Sequence, residues 1–171
     1  MGKCIGIVKY FSQRRKGAES LSRGLSLISR YSIFTIDLLE LIMDLNENEI
    51  GSIVVDIAVN LHKKLGPGLL ESVYEVILMK LLSKKGLSVQ RQVSIPIEYE
   101  GEYFDEGFRI DLFVEGKVII ELKSVEKITG VHKKQLLTYL KLTNTKLGYI
   151  LNFGAEVMKE GIIRTVNGLV D

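Results

Sequence analysis

The chain has 171 residues, of which 46% are hydrophobic and 26% charged, and its formal net charge at pH 7 is +2. This length is sufficient for one domain with a sizeable core, and the single cysteine excludes an internal disulfide framework or a cysteine-rich metal site. No apolar run approaches the roughly 20 residues that a membrane span needs, so we expect no membrane partner. The single cysteine suits a reducing compartment, and we expect a cytoplasmic location.

The charge is distributed unevenly along the chain. Residues 1–42 hold seven Lys/Arg and three Asp/Glu, a net charge of +4, whereas residues 43–171 hold sixteen and eighteen, a net charge of −2. Because residues 1–42 are rich in Ser, Arg and Gly with little period, we predict an N-terminal extension there and a compact domain over residues 43–171. A Ser/Arg-rich, acid-poor composition is also typical of an organelle transit peptide, which stays as the alternative interpretation of residues 1–42.

Deletion of residues 1–42 is expected to leave a folded domain, because both the hydrophobic period and the composition change at Met43. A thermal melt of the truncated protein, followed by circular dichroism, should show one cooperative transition. A truncated protein that is insoluble, or that melts without cooperativity, would contradict the predicted boundary.

Two helices are predicted at the start of the compact domain. Apolar residues between Ile50 and Leu61 recur at helical spacing, and the Gly and Pro of residues 65–68 end this helix. A second apolar stripe runs from Leu70 to Leu82, and lysines followed by Gly86 indicate its C-terminus.

Strand patterns dominate the remainder of the domain. Residues 88–123 form three strand-like runs with turns at Glu100-Gly101 and Glu115-Gly116. They are followed by a helix at 130–144, a buried strand at 146–154, a short helix around 157–160 and a strand at 161–166. This order predicts an α/β, three-layer-type sandwich with a central mixed sheet.

The hairpin over residues 109–123 contains charged residues in otherwise apolar strands. Since alternate residues of a strand share a face, the following set takes the core face: Ile110, Leu112, Val114, Val118, Ile120 and Leu122. Asp111, Glu121 and Lys123 then share the opposite face. A two-residue loop would place Glu121 among the apolar residues, so we predict a three-residue loop, Val114–Gly116, with Gly116 in the left-handed conformation.

Two facing carboxylates repel each other unless a cation lies between them. Asp111 and Glu121 supply the hard oxygen ligands that suit Mg²⁺ or Mn²⁺, and such an ion can activate water or stabilise an oxyanion. Lys123 could orient that water or stabilise the charge of a phosphate. The alternative is a solvated outer face of the hairpin with a cross-strand ion pair.

Three sequence motifs and the order of the elements resemble one known family. Asp111 followed by Glu121-Leu122-Lys123 resembles the D…(D/E)xK signature of the PD-(D/E)XK nuclease superfamily, and the element order is similar to its restriction-endonuclease-like core. The stretch "GLLESVY", Gly68–Tyr74, resembles the pattern of the GxxExxY protein group, and "QLLTY", Gln135–Tyr139, resembles the QxxxY motif. The resemblance covers about residues 43–168. The proline of the family name is absent, since Ile110 precedes Asp111.

The resemblance implies a catalytic site. It implies that Asp111 and Glu121 bind the metal and take part in catalysis, that Lys123 is the catalytic lysine, and that Glu71 is a further metal ligand. The alternative for Glu71 is a carboxylate stabilised at a helix N-terminus by the helix dipole.

The resemblance also implies that Gln135 and Tyr139, one helical turn apart, position the phosphate or its water. The alternative is that Tyr139 belongs to the core and Gln135 forms its polar edge. Tyr74 is expected to pack in the core, and His132 is not included in the site.

The implied function is metal-dependent phosphodiester hydrolysis of nucleic acid, with DNA favoured over RNA as the partner. The alternative is a non-cutting accessory protein that uses the nuclease fold to bind nucleic acid or protein. The sequence leaves the oligomeric state open.

Overall fold

A computed structural model of the chain describes residues 45–169. The predicted extension over residues 1–42 and the boundary at Met43 lie outside the described residues. Within residues 45–169, no helix is both long and apolar enough to cross a bilayer.

Two helices open the domain, α1 (Glu47–Leu65) and α2 (Glu71–Lys84). α1 begins before its first apolar residue because Asn46 and Glu49 form a capping box: the Glu49 N–H donates to Asn46 Oδ1 at 3.0 Å, and the Asn46 N–H donates to Glu49 Oε2 at 2.7 Å. Gly66, at φ +69°, follows the last residue of α1. Both predicted helices are therefore present, and α1 is extended by its polar cap.

The remaining elements form a five-stranded sheet with two further helices among the described residues. In chain order they are β1 (Val89–Tyr99), β2 (Glu102–Val114), β3 (Val118–Lys123), α3 (Gly130–Thr143), β4 (Leu147–Asn152), α4 (Met158–Gly161) and β5 (Ile162–Val166). The strands lie in the order β1-β2-β3-β4-β5, and only the β3–β4 pair is parallel. The predicted α/β class with a mixed sheet is confirmed.

Helices cover both faces of this sheet. On one face α1 passes so close to β4 that a Cβ at Gly51 would lie 2.5 Å from the hydroxyl of Tyr149. On the other face α3 approaches β4 closely enough that a Cβ at Gly148 would lie 2.8 Å from Leu136 Cδ1. The parallel strands β3 and β4 are consequently buried on both faces, as is typical of parallel pairs in layered α/β folds.

The β2–β3 loop has the predicted odd length but different residues. Val114 pairs with Val118, so the loop is Glu115–Lys117 and not Val114–Gly116. Gly116 has φ +63°, as predicted, and Glu115 also has positive φ, +52°. The Lys117 N–H closes this turn by donating to Val114 O at 2.9 Å. Lys117 is the third loop residue, and an odd number of loop residues keeps Asp111 and Glu121 on the same face of the sheet. The predicted loop was wrong by one residue because alternation fixes whether the residue count is odd or even, but not where the turn begins.

Candidate active site

Strand register brings the two predicted carboxylates together. Leu112 pairs with Ile120 in the antiparallel β2–β3 ladder, so one further step in this register places Asp111 opposite Glu121. Directly opposite residues of an antiparallel pair share a face. This face is not the solvated outer face of a hairpin, because its neighbours Phe113 and Ile119 are buried.

Both carboxylate oxygens of Asp111 have a hydrogen-bond donor. The Leu122 N–H donates to Oδ2 at 2.8 Å, and Gln92 Nε2 donates to Oδ1 at 3.3 Å. Burial raises the pKa of Asp111, whereas the Leu122 N–H and the Lys123 charge act in the opposite direction. The side chain is therefore fixed in orientation, while its negative charge is only partly compensated.

Glu121 is the more deeply buried carboxylate, with 4% of its surface exposed. Burial, followed by the charge of Asp111, raises the pKa of Glu121 to about 8. Its Oε1 is buried without a hydrogen-bond partner. A buried carboxylate oxygen that lacks any donor is destabilising unless a proton or a cation occupies the place beside it.

Lys123 lies next to this carboxylate. Its Nζ is 3.5 Å from Glu121 Oε2, and its side chain is 18% exposed. The main chain at Lys123 is fixed by the Phe153 N–H, which donates to Lys123 O at 2.7 Å. Asn152 anchors the following segment, because its side chain accepts the Val125 N–H at 3.0 Å and donates to Val125 O at 2.8 Å.

These residues fit a hydrated divalent metal. Within residues 45–169, no group of three or more His, Cys, Asp or Glu side chains is close enough to enclose a metal ion. Mg²⁺, however, keeps several waters and uses only one or two protein carboxylates. The unpartnered Glu121 Oε1, opposite the fixed carboxylate of Asp111, provides that donor set.

Glu71, the third predicted metal ligand, is the first residue of α2. Its Oε1 accepts the Ser124 N–H at 2.8 Å, and the Ser124 hydroxyl donates to Leu69 O at 3.0 Å. Since Ser124 directly follows Lys123, Glu71 lies both at a helix N-terminus and beside the end of β3. The contacts are compatible with both predicted interpretations of this carboxylate.

Gln135 and Tyr139 contact each other on α3. Gln135 Nε2 donates to the Tyr139 hydroxyl at 2.7 Å. Tyr139 is buried and packs edge-on against Phe108, with ring centroids 5.1 Å apart. Burial, followed by the charge of Glu121, raises the pKa of Tyr139 to about 12. Tyr139 is therefore a core residue whose hydroxyl lies within electrostatic range of the site. A core role for Tyr139 and a positioning role for Gln135 and Tyr139 are thus compatible with each other.

Sequence reasoning missed three residues beside Asp111. Glu75 is buried, and its Oε1 accepts Arg91 Nε at 2.6 Å and Gln92 Nε2 at 2.8 Å. Glu75 lies one helical turn after Glu71, so its position on the same helix face as a predicted ligand was a signal that could have identified it. Arg91 and Gln92 belong to no motif, and only the fold brings them here.

A family model for the PD-(D/E)XK nuclease superfamily matches residues 48–165. The chain belongs to this superfamily, and the match supports nuclease-type hydrolysis of phosphodiester bonds. No curated protein and no solved structure matches the chain.

Proposed function

We propose that the protein is a metal-dependent nuclease that hydrolyses phosphodiester bonds, with Asp111 and Glu121 holding Mg²⁺ or Mn²⁺. The observation that carries the proposal is the buried Glu121 Oε1, which has no hydrogen-bond partner although it lies opposite a second carboxylate. Like charges in a buried place require a proton or a cation between them, and two hard oxygen ligands favour a hydrated divalent ion.

Each residue has a defined task in this proposal. Asp111 presents a carboxylate whose orientation is fixed by the Leu122 N–H. Lys123, confined beside Glu121, stabilises the negative charge that develops on the phosphate. When bound, the metal would supply Lewis-acid stabilisation and an acidified water. Glu71 is proposed as a further ligand, through the carboxylate oxygen that does not accept the Ser124 N–H.

Gln135 and Tyr139 are proposed to position the substrate or its water. Gln135 donates one amide hydrogen to Tyr139, so the second amide hydrogen and the carbonyl oxygen are available to a phosphate or a water. Tyr139 is held by the core and thereby fixes the position of Gln135.

We also propose that the chain belongs to the GxxExxY group. Tyr74 is stacked on Phe153 at 4.2 Å between ring centroids, and its hydroxyl donates to Gly66 O at 2.6 Å. Gly68 has φ +106°, a conformation that favours glycine. The glycine and the tyrosine of the motif thus shape the loop that presents Glu71 to the end of β3.

Nucleic acid, with DNA expected rather than RNA, is the proposed partner, and a cytoplasmic location is proposed with it. The described lysines on α3, Lys133, Lys134 and Lys141, are exposed and could contact a phosphate backbone. The residues from 43 onward carry no net positive charge, so such a local patch is required.

The proposal is tested with purified wild type and Asp111→Asn on single- and double-stranded DNA and RNA. Cleavage is expected only for wild type and only with Mg²⁺ or Mn²⁺, because Asn removes the charge that binds the metal while keeping the shape of the side chain. Cleavage that persists in EDTA or in Asp111→Asn would assign the activity to a contaminant. A wild type that binds nucleic acid without cutting it would replace this proposal by the accessory-protein alternative.

A further inference from the structure

Gln92 has an unusual backbone conformation for a residue inside a strand. Four non-glycine residues of the described chain have positive φ, and three of them lie in turns or at a helix C-terminus: Glu100, Glu115 and Asn144. Gln92, at φ +53°, lies within β1, where Arg91 pairs with Leu112 and Val93 pairs with Ile110. Glycine or asparagine adopts this conformation more readily than glutamine, and such conformations cluster at functional sites.

The Gln92 amide bridges two carboxylates. Its Nε2 donates to Glu75 Oε1 at 2.8 Å and to Asp111 Oδ1 at 3.3 Å. The orientation of the amide is determined by chemistry, because an amide oxygen facing two carboxylates would be repelled, whereas the NH₂ group has one hydrogen for each. The register places Gln92 directly opposite Asp111 across β1 and β2, so the contact follows from the fold.

Glu75 fixes the other end of this bridge. It is 5% exposed and accepts Arg91 Nε at 2.6 Å, so a cation compensates its charge close to Asp111. The buried Glu75 therefore holds the Gln92 amide in place, and the amide in turn restrains Asp111 Oδ1. The Leu122 N–H constrains the second oxygen.

We propose that Gln92, anchored by Glu75 and Arg91, is a positioning residue that fixes the Asp111 carboxylate for metal binding. This inference rests on the proposed function. Hydrogen-bond partners behind a metal ligand reduce the orientations open to it, and their loss typically lowers metal affinity by about 10–100-fold. Gln92 acts through Asp111 and does not touch the reacting atoms.

The test is Gln92→Met, which keeps the length of the side chain and removes both donors. The concentration of Mn²⁺ that gives half the maximal cleavage rate should rise by about 10–100-fold. The rate at saturating Mn²⁺ and the melting temperature of the metal-free protein should stay close to wild type. Gln90→Met, at an exposed position of the same strand, is the matched control and should leave all three quantities unchanged.

Rescue by excess Mn²⁺ separates positioning from catalysis, because Lys123→Ala should not be rescued in this way. An unchanged Mn²⁺ requirement in Gln92→Met, with wild-type cleavage dependent on Mn²⁺, would overturn the role of Gln92 and leave the proposed function intact. A loss of rate that saturating Mn²⁺ fails to restore would also overturn the positioning role. A wild type that neither binds Mn²⁺ nor cuts nucleic acid would remove the proposed function and this inference together.

Discussion

Replacing Lys123 by alanine is expected to lower the rate of phosphodiester cleavage at saturating Mn²⁺ by about 10²–10³, the effect typical of losing one group that stabilises developing negative charge. The Lys123 ammonium lies 3.5 Å from Glu121 in a mostly buried place, where water screens its charge weakly. Single-turnover cleavage assays with excess enzyme would measure the chemical step directly. The binding of Mn²⁺ should persist in this variant because both carboxylates remain.

Two further variants sharpen this prediction. Lys159→Ala removes an exposed lysine on α4 and should leave the rate unchanged, which controls for a general loss of positive charge. Asp111→Asn should lose both the rate and the binding of Mn²⁺ measured by calorimetry. A Lys123→Ala enzyme that cuts at the wild-type rate would exclude Lys123 from charge stabilisation.

Replacing Glu121 by glutamine is expected to stabilise the metal-free fold at alkaline pH. Burial raises the pKa of Glu121 from 4.5 to about 8, so between these pH values the folded protein binds a proton that the unfolded chain has released. The free energy of unfolding of wild type therefore falls as the pH rises from about 4.5 to 8 and levels off above 8. Each unit of pKa shift corresponds to about 1.4 kcal/mol, so the shift from 4.5 to about 8 gives a penalty above pH 8 of the order of 5 kcal/mol.

Thermal melts in EDTA at pH 5 and pH 8.5 measure this effect. Near pH 5 the two proteins should melt at similar temperatures, whereas at pH 8.5 Glu121→Gln should melt at least about 10 °C higher. Adding Mn²⁺ at pH 8.5 should raise the melting temperature of wild type and reduce the difference, because the metal compensates the buried charge. Glu160→Gln, at an exposed position, is the control and should show no such dependence. A Glu121→Gln protein that is less stable than wild type at pH 8.5 would show that the carboxylate is already compensated without metal.

The expected result would show that the ionised site destabilises the metal-free fold. Asp111 and Glu121 are placed opposite each other by backbone register, in a layer that helices cover on both sides. The fold thus holds two carboxyl groups where neither is fully solvated, and above the Glu121 pKa of about 8 their like charges reduce stability unless a cation compensates them. Such local destabilisation is common at functional sites.

The sequence alone determined the element order, the fold class and the grouping of Asp111, Glu121 and Lys123. These features depend on local hydrophobic periods, which are two residues in strands and 3.6 residues in helices and are interrupted by Gly and Pro. The strand alternation around Gly116 was enough to require a loop of odd length, although its position was wrong by one residue. The element order and the grouping of three charged residues follow from neighbours in the chain, so no tertiary contact was needed to infer them.

Tertiary structure alone decided how this group is surrounded. The sequence left open a solvated outer face, whereas in the packed fold Glu121 is buried and its Oε1 has no hydrogen-bond partner. The contacts of Glu75 with Arg91 and Gln92 join a helix to an edge strand, and no local period encodes such a meeting. The burial, the hydrogen-bond partners and the pKa of a side chain depend on residues that are distant in the chain. They are therefore decided only when the helices have packed against the sheet.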